Sequence, residues 1–360
     1  MRAFRALFSA FVFVMAASGS VVAQDAPNPG EILEAWLASP HAQSSAEAFR
    51  HWDDEGEIPG SCAVCHSTTG FAEYVASPMM SAGRIDHPVP TGTTIECASC
   101  HAPEALGLAS VTYPSGVTMD VSGPSAVCTV CHQGRASTDQ VDEAVAELEL
   151  DLVSPDLGFI NIHYAAAAAT QLGGEVRGGY QYETRSYVGE FTHIAGFDTC
   201  VGCHGPHDTQ PQLETCTTCH AGANNFAAIR TTTLDILGTG DTTSGISSVI
   251  EELHARLGEA IATYARHINA SPVVYSDEAY PYFFSDLNAD GVADPSETIF
   301  PNRYQRWTPR LLRAAYNYQY VAKDHGAFAH NPHYAIQLLF DSLADLAVVA
   351  NVDMSGLVRP

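Results

Sequence analysis

Basic residues are scarce in this chain: 16 Lys and Arg against 41 Asp and Glu give a formal net charge of −25 over 360 residues. Such a surface repels nucleic acid and anionic lipid, so no nucleic-acid partner is expected, and it favours basic partners or cations. A membrane-spanning run is also lacking. The apolar stretch from Ala6 to about Ala17 falls short of the roughly 20 residues that a span needs. It follows Arg2 and Arg5 and leads to small residues ending at Ala23, the layout of a secretory signal peptide cut after Ala23. No cysteine lies at that point, so a lipid anchor there has no support. Without residues 1–23 the balance is 14 basic to 41 acidic, a formal −27 on about 337 residues. That length suits one large or two ordinary domains, and the expected location is the periplasm or the cell exterior, with no membrane span after signal cleavage.

No cysteine is left over either. All ten fall in five C-x-x-C-H motifs: Cys62, Cys65 and His66; Cys97, Cys100 and His101; Cys128, Cys131 and His132; Cys200, Cys203 and His204; Cys216, Cys219 and His220. A disulfide framework serves small secreted domains that cannot build a core, and this chain is too long to need one. A zinc ribbon would pair two C-x-x-C units at a fairly fixed separation without requiring a His after each. Here the motif starts lie 35, 31, 72 and 16 residues apart, and every one carries the His. The pattern is the attachment signature of c-type haem. Two thiols form thioethers with the porphyrin vinyl groups while the adjacent His offers the proximal nitrogen to iron, so one short turn must present three groups to one macrocycle. Five motifs predict five covalent haems c.

Long helical patterns are missing from Glu31 to about Ala223, as expected where porphyrins replace side chains as the core. Short helices are predicted over 31–38, 45–51 and 139–150, and no exact internal repeat exists beyond the motif. After Asn225 the character changes. Ile246, Ile250, Leu253, Leu257, Ile261, Tyr264 and Ile268 follow helical spacing and predict an amphipathic helix of about 22 residues. Thr308 before Pro309, and Asn331 before Pro332, read as N-caps with Pro at the first helical position, opening helices through Ala322 and from Tyr334 to Ala350. The last carries Asp341 and Asp345 and so packs on the domain rather than in a membrane. The expected fold is mainly α with extensive irregular loops: a signal peptide at 1–23, a pentahaem region at 24–225 whose haems form the core, and a helical C-terminal region at 226–360.

The chemistry of such haems depends on the far side of each iron. Eleven histidines lie outside the motifs, more than five irons need. His41 in ASPHA, His163 before YAAAAAT, His193 seven residues ahead of Cys200 and His207 three after His204 have contexts that suit distal ligation; the last two fit a neighbouring haem better than their own. His87 in IDHPVP and His330 in GAFAHNPHY compete for the fifth place. His254 and His267 flank the amphipathic helix and read as satisfied or solvated, while His51, His325 and His333 are unranked. Methionine, the other common distal ligand, would raise the potential, and Met79 or Met80 is the candidate. Arg135 and Arg177 could pair with propionates, since guanidinium offers a two-pronged donor to a carboxylate.

A second metal pattern occupies 286–297, DLNADGVADPSE. Asp286, Asn288 and Asp290 stand at positions one, three and five of a twelve-residue calcium loop, with Gly291 at six, the Val292 carbonyl at seven, Asp294 at nine and Glu297 at twelve. Flanking helices are not evident and Pro295 interrupts it, so the expectation is one structural Ca²⁺ rather than a paired sensor.

The five motifs, the opening WLASPHAQSSAEAFRHWDDEGEIPGSCAVCH, the CHQGR segment, NIHYAAAAAT with GGYQY, and AAYNYQYVAKDHGAFAHNPHYAIQLLFDSL together resemble large secreted multihaem c-type cytochromes of bacteria, including those that move electrons outside the cell. The resemblance implies low-potential haems with two axial histidines, held in a chain of close contacts. The expected function is electron relay between redox partner proteins or to an extracellular acceptor. A sixth ligand on every iron leaves no place for substrate. Two alternatives stand beside it: an oxidoreductase with one open haem acting on a small nitrogen or sulfur compound, and a homo-oligomer or filament protomer that takes some distal histidines from the next subunit.

Overall fold

A computed structural model describes residues 28–77, 83–121, 123–163 and 166–360. Helices joined by long loops dominate, with three two-stranded antiparallel ribbons: Glu57–Ile58 with Val89–Pro90, Ser110–Thr112 with Thr118–Asp120, and Val273–Tyr275 with Phe283–Ser285. The longest helix is Ile246–His267. Its buried side chains, Ile246, Val249, Ile250, Leu253, Leu257, Ala260, Ile261, Tyr264 and Ala265, recur at three- and four-residue steps, the stripe that one helix face presents to a core.

That stripe packs against two further helices, Pro309–Lys323 and Pro332–Leu346. Both open as their sequences predict. Thr308 Oγ1 accepts from Leu311 N at 3.2 Å and Asn331 Oδ1 from Tyr334 N at 3.1 Å, each with Pro in the first turn. The cap satisfies a backbone donor that the helix itself cannot, and the Pro lacks one to satisfy.

Three predicted helices are shorter in the structure. Of 45–51 only Glu47–Arg50 is helical. The 139–150 segment is helical only over Thr138–Val145: Ala146 is extended and Glu147 has φ +63°. That reversal delivers Asp151 to the buried Arg310, whose Nε lies 2.7 Å from Asp151 Oδ1, and to the Tyr264 hydroxyl, also at 2.7 Å. Arg310 also pairs with Asp345. The last helix stops at Leu346, and 347–350 are turn.

The hydrophobic core is continuous from Ile58 to Leu346 and runs across position 225. Residues 162–189 are sewn to the C-terminal helices: Ile162 N to Gln319 Oε1 (3.1 Å), Tyr180 N to Asn317 Oδ1 (2.6 Å), Tyr316 OH to Gly178 O (2.8 Å), Gly179 N to Tyr334 OH (3.1 Å) and Val188 N to Gln337 Oε1 (2.9 Å). The GGYQY loop passes so close that a Cβ on Gly179 would fall 2.3 Å from Leu338 Cδ1, and one on Gly178 2.8 Å from Ala169 Cβ. Glycine is required there by space alone. Consequently the segment between His163 and His193 and the helices around His330 form one packed body.

Candidate haem centres

Four C-x-x-C pairs lie within a helical turn, in Gly60–His66, Cys97–His101, Pro124–Cys131 and Cys200–Cys203, while Leu213–Thr217 carries Cys216 into a turn that ends the fifth. Residues three apart on a helix share a face, so both thiols of a motif point the same way. The motif His then closes on the first Cys: His132 N to Cys128 O is 3.0 Å, His204 N to Cys200 O 2.8 Å and His220 N to Cys216 O 2.9 Å. All ten cysteines are free thiols.

Each motif imidazole faces one imidazole from elsewhere in the chain. Ring centroids are 5.9 Å apart for His66 and His163, 6.2 Å for His101 and His207, 6.4 Å for His132 and His41, 6.4 Å for His204 and His330, and 6.2 Å for His220 and His193. No histidine is used twice. Two imidazoles on opposite sides of one ion, each bonded at about 2.0–2.1 Å with the ring centre about 1.1 Å behind its nitrogen, stand roughly 6.2 Å apart. The observed spacing matches that of two imidazoles sharing a metal. Among the described residues no three His, Cys, Asp or Glu converge on a metal position, the calcium-type loop included.

Local structure sets these rings. His41 sits in the turn Pro40–Ala42, fastened by Ile95 N to His41 O at 3.2 Å and by Trp36 Nε1 to Ile95 O at 3.0 Å. His163 has φ +67°, and its backbone N–H donates to Asn161 Oδ1 at 2.8 Å. His193 and His207 flank the fourth motif but face the fifth and second, so each cross-links two motifs.

Three rings have a fixed tautomer. His66 Nδ1 donates to Ala48 O at 2.7 Å, His204 Nδ1 to Thr209 O at 2.8 Å and His330 Nδ1 to Asp324 Oδ1 at 2.7 Å. Those oxygens can only accept, so Nδ1 carries the proton and Nε2 keeps its lone pair for metal. Gly326 makes room: a Cβ there would lie 2.5 Å from His330 Cε1.

Burial favours the neutral imidazole that a metal requires. It lowers the pKa of His132 to about 4, helped by the neighbouring His41. His163 is brought to about 4 by burial and then by the positive charge of Arg135. Burial also lowers His41 and His66. For His330 burial opposes the charged form, but the Asp324 carboxylate outweighs it and the pKa is raised.

Among the described residues His87 meets no motif ring. Glu73 Oε2 and Asp86 Oδ1, each 2.8 Å away, hold it at the surface and the Asp86 bond raises its pKa. His254 stacks on Tyr318 at 3.9 Å and bonds Tyr318 O. His51 pairs with Glu47, and His267 and His325 are exposed. Arg177 is engaged by Asp139 at 3.1 Å, whereas Arg135 acts on both His66 and His163. Met79 and Met80 lie outside the described residues. Sequence reasoning missed Asp324, which stands six residues before His330 and is joined to it by the fold at Gly326, and the Ala48 and Thr209 carbonyls, which no side-chain pattern reveals.

The motifs also touch each other. Cys131 Sγ lies 3.9 Å from Val64 O, within the first motif, and Cys200 N donates to Ser125 Oγ, on the helix of the third, at 3.2 Å. The first motif is thus beside the third, and the third beside the fourth.

In the calcium-type loop Asp286 and Glu297 are buried, 4% and 2% exposed, with Asp286 Oδ1 and Glu297 Oε2 lacking any hydrogen-bond partner. Asn288, Asp290, Val292 and Asp294 lie towards the outside of the loop.

Among the described residues no helix is long and apolar enough to cross a membrane. No protein-family model matches the chain, and no solved structure does. Curated proteins do. The C-type polyheme cytochrome OmcB of Geobacter sulfurreducens, in two strains, is 26% identical over 368 residues, covering 83% of this chain and 46% of its own length. The C-type polyheme cytochrome OmcC of the same species is 28% identical over 373 residues, covering 83% and 44%. The chain therefore spans less than half the length of these relatives.

Proposed function

We propose that this chain is an extracytoplasmic electron-transfer protein carrying five covalent haems c, each held between its motif histidine and a second histidine. The observation that carries the reading is the set of five imidazole pairs at 5.9–6.4 Å. In this reading His163 closes the first site, His207 the second, His41 the third, His330 the fourth and His193 the fifth. The similarity to polyheme cytochromes supports the same class.

Iron in such a group supplies one-electron transfer by alternating between ferrous and ferric states. The chain's own residues do the rest. The paired cysteines of each motif would anchor the group; the Ala48 and Thr209 carbonyls and Asp324 orient their imidazoles through Nδ1; and two histidines per group would leave no place on it for water or substrate. The open-site alternative needs a motif histidine with nothing opposite, and the five ring pairs favour the relay over it. The contacts of the third motif helix with the first and fourth motifs favour a path linking those three sites. The acidic surface favours a basic redox partner, an extracellular acceptor is equally served, and residues 1–23 read as the export signal.

The test is haem stoichiometry by intact mass and pyridine haemochrome assay, followed by cyanide or nitrite titration of the reduced and oxidised protein. Five haems whose spectra ignore both anions are expected. Fewer than five, or one haem that binds an anion stoichiometrically, would overturn the assignment.

A further inference from the structure

We infer that the loop from Asp286 to Glu297 binds one Ca²⁺, which replaces two missing hydrogen bonds in the core and locks the Phe283–Ser285 strand to the turn at Phe300–Asn302. The inference does not depend on the haem assignment. It starts from the two buried carboxylates, Asp286 and Glu297, which have no ion-pair partner among the described residues. A buried charge is tolerated when it is paired or coordinates a metal. Each has one oxygen occupied: Gly291 N donates to Asp286 Oδ2 at 3.0 Å, and Leu287 N to Glu297 Oε1 at 2.6 Å. The other oxygen of each, Asp286 Oδ1 and Glu297 Oε2, is buried with nothing to accept from. These are the first and twelfth positions of the loop, the two whose carboxylates close a calcium site from opposite ends.

The backbone already has the required turn. Gly291, at the sixth position, has φ +78° with open space around it, and Asn302 Nδ2 ties the loop's ends by donating to Ser285 O at 2.8 Å and Glu297 O at 2.9 Å. The middle ligands are turned away: Asp290 accepts from Val292 N at 2.8 Å and from Asn288 Nδ2 at 2.9 Å, and Asp294 from Ser296 N at 2.8 Å. These are exposed side chains whose bonds cost little to break, so ion entry draws Asp290 and Asn288 inward towards the Ca²⁺ held by the two buried oxygens. Oxygen donors alone, in a loop able to adjust, suit Ca²⁺ over the smaller and more rigid demands of Mg²⁺.

The experiment uses the intact holoprotein, stripped with EGTA and titrated with CaCl₂ by calorimetry, with MgCl₂ as comparison. One Ca²⁺ per chain is expected, at least tenfold tighter than Mg²⁺. Asp290→Asn, which alters only an exposed side chain, should weaken it at least tenfold, and Glu297→Gln should abolish it. Asp241→Asn, in an unrelated Asp turn, should bind as wild type does. Chelation should also lower the thermal midpoint by a few degrees while the haem absorption stays unchanged. No calcium binding by the wild type, or binding that Asp290→Asn and Glu297→Gln leave intact, would overturn the inference.

Discussion

Asp324→Asn should raise the midpoint potential of one haem and leave the other four where they are. Asp324 is 5% exposed and accepts from His330 Nδ1 at 2.7 Å, which makes it a positioning residue acting on the fourth site through the ring. From that oxygen, across the imidazole and one coordination bond of about 2 Å, the charge is about 7 Å from the metal. A unit charge at that distance interacts by about 2–3 kcal/mol at an effective dielectric near 20, or about 100 mV for a one-electron couple. The sign follows from charge: the carboxylate favours the more positive ferric state, so removing it makes reduction easier. Asparagine keeps an oxygen for Nδ1–H, so geometry survives while charge is lost. The assay is an optical redox titration of the holoprotein, with Asp86→Asn, an exposed carboxylate beside His87, as control. Five couples unmoved beyond the scatter of the titration would refute the role of Asp324, and a uniform shift of all five would show a general charge effect instead.

Alanine at His41, His163, His193, His207 or His330 should each turn one low-spin haem high-spin, whereas His87→Ala should change none; magnetic circular dichroism reads the difference. Leu257→Ala, at a fully buried position of the long helix, should cost about 2–5 kcal/mol in denaturant unfolding with the haem spectra retained. Gly179→Ala should destabilise by about 1–3 kcal/mol, because its Cβ meets Leu338, measured the same way. His87 should titrate above the ordinary histidine value in the folded protein because of Asp86 and Glu73. Its small stabilising contribution is therefore complete below about pH 6.5 and lost as pH rises through the folded pKa; a Glu73→Gln variant whose His87 titrates no lower would contradict this.

The helical C-terminal region was legible because its signals are local. Ile246, Ile250, Leu253 and Leu257 recur at helical spacing, and Thr308–Pro309 and Asn331–Pro332 are caps in four letters. The early end of the helix after Val145 was not, because Glu147 reverses the chain to meet Arg310, more than 150 residues later. The motif cysteines and histidines stand out by spacing, whereas the rings opposite them are set by tertiary structure. His207 is three residues from His204 and faces His101; nothing local distinguishes those two outcomes. His87 and His330 are alike in sequence context, and only the surrounding carboxylates separate them: two hold His87 at the surface, one orients His330 toward His204. The polar stitches between 162–189 and the last two helices also escape pattern reading, since Asn317, Gln319 and Gln337 look like ordinary helix residues until they meet exposed backbone.

Electron paramagnetic resonance of the fully oxidised holoprotein, with spins counted against the haem content, tests the central claim most directly. Five low-spin ferric haems per chain and no high-spin signal is the predicted result. A high-spin signal accounting for even one haem, lost when cyanide is added, would contradict it.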